Sequence, residues 1–183
     1  KSGHHQSRLY LYNFSELAEV LQQLEKAKQK TLLIGVTFAL LDFAERFPLP
    51  LKSTIIMETG GMKGRREELI REEVHAALGN AFRTNKIHSE YGMTELLSQA
   101  YSSGEGIFNC PPWMKILMRE DDDPFAVQSN EGKGIINIID LANIYSCSFI
   151  ATEDAGRLYK DGSFEVLGRM DNTDIRGCSL LAV

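Results

Sequence analysis

Tyr91-Gly92-Met93-Thr94-Glu95 gathers an aromatic ring, a glycine, a hydroxyl and a carboxylate into five consecutive positions. Each of these types has a use at a nucleotide. An aromatic face stacks on a base, a glycine lets backbone approach a ligand, a threonine hydroxyl bonds a phosphate oxygen, and a glutamate holds Mg²⁺ through a hard oxygen. The same residues also suit a plain strand-to-helix turn capped by Thr94, and five residues alone do not choose between the two. Two later segments extend the set. Thr152-Glu153-Asp154-Ala155-Gly156-Arg157-Leu158 places carboxylates at the expected end of a strand, where Asp154 can accept from both hydroxyls of a ribose. Gly168-Arg169-Met170-Asp171-Asn172-Thr173-Asp174-Ile175-Arg176-Gly177 supplies a fixed cation in a glycine-bounded bend.

Positioning these groups falls to two halves of different periodicity. Asn13-Phe14-Ser15-Glu16 predicts a helix start with Asn13 as N-cap and Glu16 at the capping-box position. Phe14, Leu17, Leu21 and Leu24 then recur at the spacing of one buried face. The apolar run Thr31 to Thr37 lacks alternation, which predicts a parallel strand covered on both faces. A short helix from Phe38 to Phe47 is stopped by Pro48 and Pro50, and Thr54 to Glu58 is the next buried strand. Thr59-Gly60-Gly61-Met62-Lys63-Gly64 turns into a helix striped by Ile70, Val74, Ala77, Leu78 and Ala81, with Glu67 and Arg71 as an i,i+4 pair. Lys86-Ile87-His88 leads back to the central stretch. Residues 31 to 92 therefore read strand-helix-strand-helix-strand, a parallel sheet with right-handed crossovers. Ligands collect beyond the carboxyl ends of such strands, so Thr37, Gly60-Gly61 and Tyr91 to Glu95 are expected on one rim.

After Glu95 the period changes. Strand candidates recur at Leu97 to Tyr101, Trp113 to Met118, Ile135 to Ile139, Phe149 to Thr152, Phe164 to Leu167 and Ile175 to Leu181. Their separators are Gly104-Glu105-Gly106, Asp121-Asp122-Asp123-Pro124, Gly132-Lys133-Gly134 and Asp161-Gly162. The fold class expected is α/β: a parallel βαβαβ layer followed by a small, mostly antiparallel sheet or barrel. The acidic run Asp121 to Asp123 reads as a solvated loop.

Composition narrows the function classes. With 183 residues, 43% apolar and 25% charged, the chain is long enough to bury a core. A formal charge of -5 and the lack of a Lys/Arg cluster argue against nucleic acid as partner. No apolar run approaches the roughly 20 residues of a membrane span, and no secretory signal opens the chain. Cys110, Cys147 and Cys178 are odd in number and widely spaced, which suits reduced thiols in a cytoplasm. The chain starts at Lys1 without methionine and ends in the apolar Leu180-Leu181-Ala182-Val183, so a missing upstream segment is expected. His4-His5 has no third ligand nearby in sequence and does not read as a metal site.

The order of the motifs is the specific signal: a Gly-Gly turn, Tyr-Gly-x-Thr-Glu, Thr-x-Asp-x-Gly and Gly-Arg-x-Asp. This order resembles the adenylate-forming (acyl-activating) superfamily over nearly the whole chain, as the second half of the large domain. The wording Ile87-His88-Ser89-Glu90-Tyr91-Gly92-Met93-Thr94-Glu95 and Asp174-Ile175-Arg176-Gly177-Cys178-Ser179 is most similar to the acyl-protein synthetase branch, the fatty-acid-activating component of the bacterial bioluminescence reductase. The resemblance implies ATP and Mg²⁺ as cofactors, with Tyr91 stacked on adenine, Gly60-Gly61 beside its edge, and Gly92 close to the nucleotide. It further implies Thr94 at the α-phosphate, Glu95 on Mg²⁺, Asp154 on the ribose and Arg169 neutralising the nucleotide. Asp171 matches the hinge of the family's lid domain. The division that follows is 1–97 parallel α/β, 98–168 β-rich, and 169–183 hinge with the start of a truncated lid.

The implied reaction is ATP-dependent activation of a carboxylic acid, a long-chain fatty acid in this branch, and transfer of the acyl group to a protein cysteine. An acyl-accepting protein or reductase is the implied partner. Cys178 is the candidate acceptor, its thiol within reach of lowering by Arg176 and Arg169; a buried, inert cysteine is the other reading. Cys110 and Cys147 read as structural, and His88 as either lining the acyl site or buried. Val36, Thr37, Phe38 and Leu40 would line an acyl pocket or simply form core. Two departures stand out. The superfamily's Ser/Thr/Gly-rich phosphate loop is absent, and Ser102-Ser103-Gly104-Glu105-Gly106 imitates it only in composition, in the wrong order. The lid with its lysine is also absent, so a partial chain with little turnover of its own is expected. An aryl- or acyl-CoA ligase of the phenylacetate type, a nucleotide-binding module without catalysis, and half of a domain that self-associates through a sheet edge remain alternatives.

Overall fold

The computed structural model describes residues 3–60, 69–121, 123 and 125–170. The chain divides into two compact units, Lys1–Ile87 and His88–Val183. The first unit runs through helix α1 (Phe14–Lys26), strand β1 (Thr31–Val36), helix α2 (Thr37–Arg46), strand β2 (Thr54–Thr59) and helix α3 (Arg71–Phe82). Strands β1 and β2 pair in parallel, from Thr31 opposite Thr54 to Val36 opposite Thr59. Helix α2 leaves β1 without a loop and stops before Pro48, whose ring cannot continue it. Leu17 and Leu21 of α1, Leu40 and Phe43 of α2, and Val74, Leu78 and Phe82 of α3 share one core with Leu33 and Ile56. Phe43 is its hub, with the rings of Phe14, Phe47 and Phe82 all within 6 Å.

Two local expectations are corrected here. Asn13 stands at the N-cap position, but its side chain caps no backbone group. Its amide donates instead to Glu16 Oε2 at 2.6 Å, and Glu16 also pairs with Arg8, so the capping box is not made. Strands β1 and β2 are not covered on both faces: Leu32, Ile34 and Ile55 are each about half exposed, whereas Leu33 and Ile56 are buried. Leu33 and Ile56 face the core that all three helices join, and the alternate residues point the other way. Glu25 supplies an anchor the sequence did not announce. Its carboxylate accepts from Lys52 N, Ser53 N and Thr54 Oγ1 at 2.7–3.1 Å, tying α1 to the start of β2.

The second unit contains β3 (His88–Tyr91), β4 (Ala100–Ser102), β5 (Ile107–Asn109), β6 (Met114–Arg119), β7 (Val127–Gln128), β8 (Gly132–Asp140), a 3₁₀ turn (Leu141–Asn143), β9 (Phe149–Leu158) and β10 (Phe164–Arg169). They pair in the order β3-β4-β5-β10-β9-β8-β6-β7, antiparallel throughout. Among the described residues this sheet does not close into a barrel. Leu96, Phe108, Met118, Ile136 and Phe164 belong to its core. The architecture is the α/β class expected, a parallel pair with helices followed by an antiparallel sheet.

The strand boundaries differ in instructive ways. Gly132-Lys133-Gly134 is not a separator but the first part of β8, and β9 continues to Leu158. Gly134 of β8 pairs with Gly156 of β9. A Cβ at Gly134 would lie 2.5 Å from the Arg119 carbonyl oxygen, and one at Gly156 would lie 2.7 Å from Glu165 O and from Ile136 Cδ1. These glycines let strands pass closely, so they sustain the ladder. Irregular register between Ile135 and Asn137 and between Val166 and Gly168 bends the sheet on either side of β9. Gly104-Glu105-Gly106 is the turn expected, all three residues having positive φ, but it leads into β5, which the pattern did not reveal. Leu97 to Gln99 are not strand; only Ala100–Ser102 is. The candidate at Ile175 to Leu181 and residue Glu67 of the expected ion pair lie outside the described residues.

Gly156→Ala should destabilise the second unit by about 2–3 kcal/mol, because carbonyl and Ile136 must both give way. Urea denaturation followed by circular dichroism measures this; an unchanged midpoint would show that the close approach is not structural.

Candidate functional site

Tyr91 ends β3 and Asp154 sits in β9, with β4, β5 and β10 between them in the pairing order. The Tyr91 hydroxyl nevertheless donates to Asp154 Oδ2 at 2.7 Å. The sheet must curl for these two to meet. The tyrosine ring is half-buried, with Phe164 and Phe108 edge-on at 5.4 and 6.0 Å and those two rings stacked on each other. Burial pushes the phenol well above its ordinary ionisation range, and the charge of Asp154 beside it adds to the effect. Asp154 is fixed through its backbone: its N–H donates to Thr152 Oγ1 at 3.0 Å, and that hydroxyl donates to Ile136 O at 2.8 Å. Asp154 therefore lies in the middle of β9 and not at a strand end, since Gly156 lets the strand run on. Arg169 stands directly opposite it in the ladder with β10. The Arg169 guanidinium is exposed, 3.9 Å from Glu153, a pairing worth little in water.

Residues 92 to 98 form no helix after Tyr91, so Thr94 caps none. The segment closes a turn through Leu96 N to Met93 O and buries Leu96, leaving Thr94 and Glu95 exposed. Its other backbone partners come from the far end of β8. Asp140, wholly buried, accepts from Leu97 N at 3.0 Å, Ser98 N at 2.9 Å, Ser98 Oγ at 2.7 Å and Ala142 N at 3.1 Å. Burial pushes the Asp140 carboxyl up, but these four hydrogen bonds outweigh it and hold the group below the usual carboxylate range. Asn143 Nδ2 donates to Glu95 O at 2.8 Å and to Cys147 O at 3.0 Å. Trp113 Nε1 adds a bond to Ser98 Oγ at 2.9 Å. Asp140 and Asn143 were missed in the sequence. The available signal was an aspartate set between Ile138, Ile139 and Leu141, where a buried charge needs dedicated donors.

In the first unit Gly60 follows β2 with φ +76°, a conformation that favours glycine. Beside it, Thr37 Oγ1 donates to Glu58 Oε2 at 2.6 Å and lies 3.4 Å from Thr59 O, so the ends of β1 and β2 do carry Thr37 and Gly60 together. Glu58 Oε1 is 3.8 Å from His75 Nε2, a pairing the sequence reading did not anticipate. Gly61, Asp171 and Cys178 lie outside the described residues. Of the proposed pocket, Leu40 and Thr37 are buried while Val36 and Phe38 are partly exposed, as is His88. Ser102 turns back on Gly104 (Gly104 N to Ser102 Oγ, 3.2 Å), which makes Ser102 to Gly106 a hairpin turn.

A cavity of about 620 Å³ in the second unit is lined by Cys110, Lys115, Tyr159 and Lys160, and shares no residue with Tyr91, Glu95, Asp154 or Arg169. Burial pushes the Cys110 thiol up to about 11, the opposite of what a nucleophile needs. Cys147 is exposed. Among the described residues no three His, Cys, Asp or Glu side chains gather as a metal centre, and no helix is long and apolar enough to cross a membrane. Glu95 is a single, exposed carboxylate.

Three solved structures share this architecture. ATP-bound MatB from Rhodopseudomonas palustris matches with a TM-score of 0.62 at 12% identity, covering 88% of this chain and 34% of its own. Coronafacic acid ligase from Pectobacterium brasiliense matches with a TM-score of 0.61 at 17% identity, covering 88% and 33%. The O-succinylbenzoate coenzyme A synthetase MenE from Bacillus subtilis, in complex with ATP and magnesium ion, matches with a TM-score of 0.57 at 20% identity, covering 92% and 37%. At these identities the matches show a shared fold. The chain spans about a third of the length of these relatives. No protein-family model and no curated protein matches the sequence.

The buried phenol has a consequence at high pH. A group whose folded ionisation point is raised contributes stability that is complete below its unfolded value, here 10.0, and is lost as pH rises above it. Tyr91→Phe, lacking an ionisable group, should show a flatter loss of stability above about pH 10 than the parent chain, measured as Tm against pH. Parallel alkaline limbs would show that Tyr91 is not the group concerned.

Proposed function

We propose that this chain forms the nucleotide-gripping part of an ATP-dependent acyl-activating ligase, most similar to the acyl-protein synthetases. The single observation that carries this reading is the Tyr91–Asp154 hydrogen bond, which sets an aromatic ring and a carboxylate side by side with Arg169 across the ladder. That is the chemistry AMP needs: a π-face for the base, acceptors for the ribose hydroxyls, and a cation for the phosphate. The fold shared with ATP-bound relatives supports it.

In the proposed reaction the substrate carboxylate attacks the α-phosphorus of ATP, the bond to the β-phosphate oxygen breaks, and pyrophosphate leaves. Thr94 donates its hydroxyl to the α-phosphate and Arg169 offsets its charge, so the chain contributes chiefly position and neutralisation. Glu95 would hold Mg²⁺, which supplies charge neutralisation at the phosphate oxygens. Gly92 gives the backbone room, and Asp171 would be the hinge of the lid. A thiol then attacks the acyl carbonyl, AMP departs, and a thioester forms. Cys178 is the acceptor favoured by its wording with Asp174-Ile175-Arg176-Gly177, and a long-chain fatty acid is the substrate favoured by the same branch.

AMP binding to this chain, followed by isothermal titration, tests the cradle. Asp154→Ala should weaken AMP at least about tenfold, since it removes charge-assisted bonds to the ribose. No binding by the parent chain, or equal binding by the variant, would overturn the assignment. The acceptor is tested separately by incubating the full-length protein with ATP and a labelled fatty acid. A gel-stable label released by hydroxylamine and lost in Cys178→Ser is the outcome expected; label appearing only on coenzyme A would favour the CoA-ligase alternative.

A further inference from the structure

Glu95 and Thr94 stand on a stretch of backbone that belongs to neither helix nor strand. Exposed side chains on such a stretch keep a fixed place only if the peptide beneath them is held. Its holders come from one short element: Asp140 closes β8 and Asn143 ends the 3₁₀ turn that follows. Asp140 accepts the N–H groups of Leu97 and Ser98, and itself anchors the turn through Ala142 N. Asn143 then reaches the carbonyl of Glu95 itself, 2.8 Å away. Asn143 is in turn seated by Ser148, whose hydroxyl donates to its carbonyl at 3.3 Å, and by Cys147 O. Both side chains are buried, so water does not substitute easily if either is removed.

We propose that Asp140 and Asn143 are positioning residues for the metal and phosphate end of the nucleotide site, acting through the backbone of Glu95 to Ser98. This rests on the acyl-activating reading above. Tyr91 and Asp154 are tied to each other directly, whereas Thr94 and Glu95 take their places from the β8 turn. Loss of Asn143 therefore affects one end of a nucleotide and spares the other.

The test compares Asn143→Ala with the parent chain in two measurements. In the first, adenosine and Mg·ATP are titrated into each protein. Mg·ATP affinity should fall about tenfold while the affinity for adenosine, which lacks the phosphates, changes less than about twofold, the scale of one lost buried hydrogen bond felt at one end. Equal weakening of both ligands, or of neither, overturns the assignment. In the second, hydrogen exchange followed by mass spectrometry should show faster exchange confined to residues 92 to 99, with the peptides of β8 and β9 unchanged. Exchange that is unchanged in 92 to 99 overturns the anchoring. Should the parent chain bind neither ligand, the proposed function fails, and the exchange measurement still decides whether Asn143 holds the segment. Asp140→Asn, whose amide hydrogens must face either Leu97 N and Ser98 N or Ala142 N, should show the same faster exchange; if it does not fold, Asn143→Ala decides alone.

Discussion

A tyrosine ring can be buried only if its hydroxyl finds an acceptor, and that requirement governs the second unit. Tyr91 packs among Phe108 and Phe164, and its hydroxyl has to be satisfied at the surface of that aromatic cluster. Asp154 meets it at 2.7 Å from a strand four places away in the sheet. Irregular register flanks β9 on both sides, and Gly134 and Gly156 let the neighbouring strands pass closely there. An unpaired phenol in this setting would cost about 1–3 kcal/mol. Fold and candidate site are thus one arrangement.

Two carboxylates in this unit do opposite work. Asp140 is wholly buried and spends its acceptor capacity on protein donors, so it is a structural anion with nothing left to offer a ligand. Asp154 is partly exposed and takes one tyrosine hydroxyl. The difference follows from where each sits. Asp140 ends a strand and faces the irregular segment whose Leu97 and Ser98 N–H groups donate to it, whereas Asp154 lies mid-strand, its own N–H already taken by Thr152 Oγ1.

The sequence carried the element types well where the hydrophobic period was strong. The helices of the first unit, its parallel strand pair and, β5 and β7 apart, the succession of antiparallel strands were legible. What escaped was information that resides in pairing. Gly132 and Gly134 look like turn residues because a single sequence cannot show that Gly134 will face Gly156. Leu32 and Ile34 read as doubly covered because an apolar run states that both faces are apolar, not that this chain supplies two covers. Within the candidate site, Tyr91, Asp154 and Arg169 were legible by type and order. Asp140 and Asn143 were not, because their role is to satisfy backbone groups more than 40 residues away, as the Asp140–Ser98 and Asn143–Glu95 bonds show.

The Tyr91–Asp154 bond raises a question of competition, since a ribose would need the carboxylate that already serves the phenol. Geometry resolves it. An ionised carboxylate offers about four acceptor directions, and Tyr91 uses one of them at Oδ2. The phenol's donation also locks the carboxylate plane, so the remaining lone pairs are aimed before a ligand arrives. Because burial raises the phenol's ionisation range, it does not become an anion beside Asp154 at neutral pH. One fixed charge beside one aromatic face suits a neutral nucleoside better than a phosphate. In the proposed site the phosphate would be left to Arg169 and Thr94, both exposed, where charge can be matched without burial.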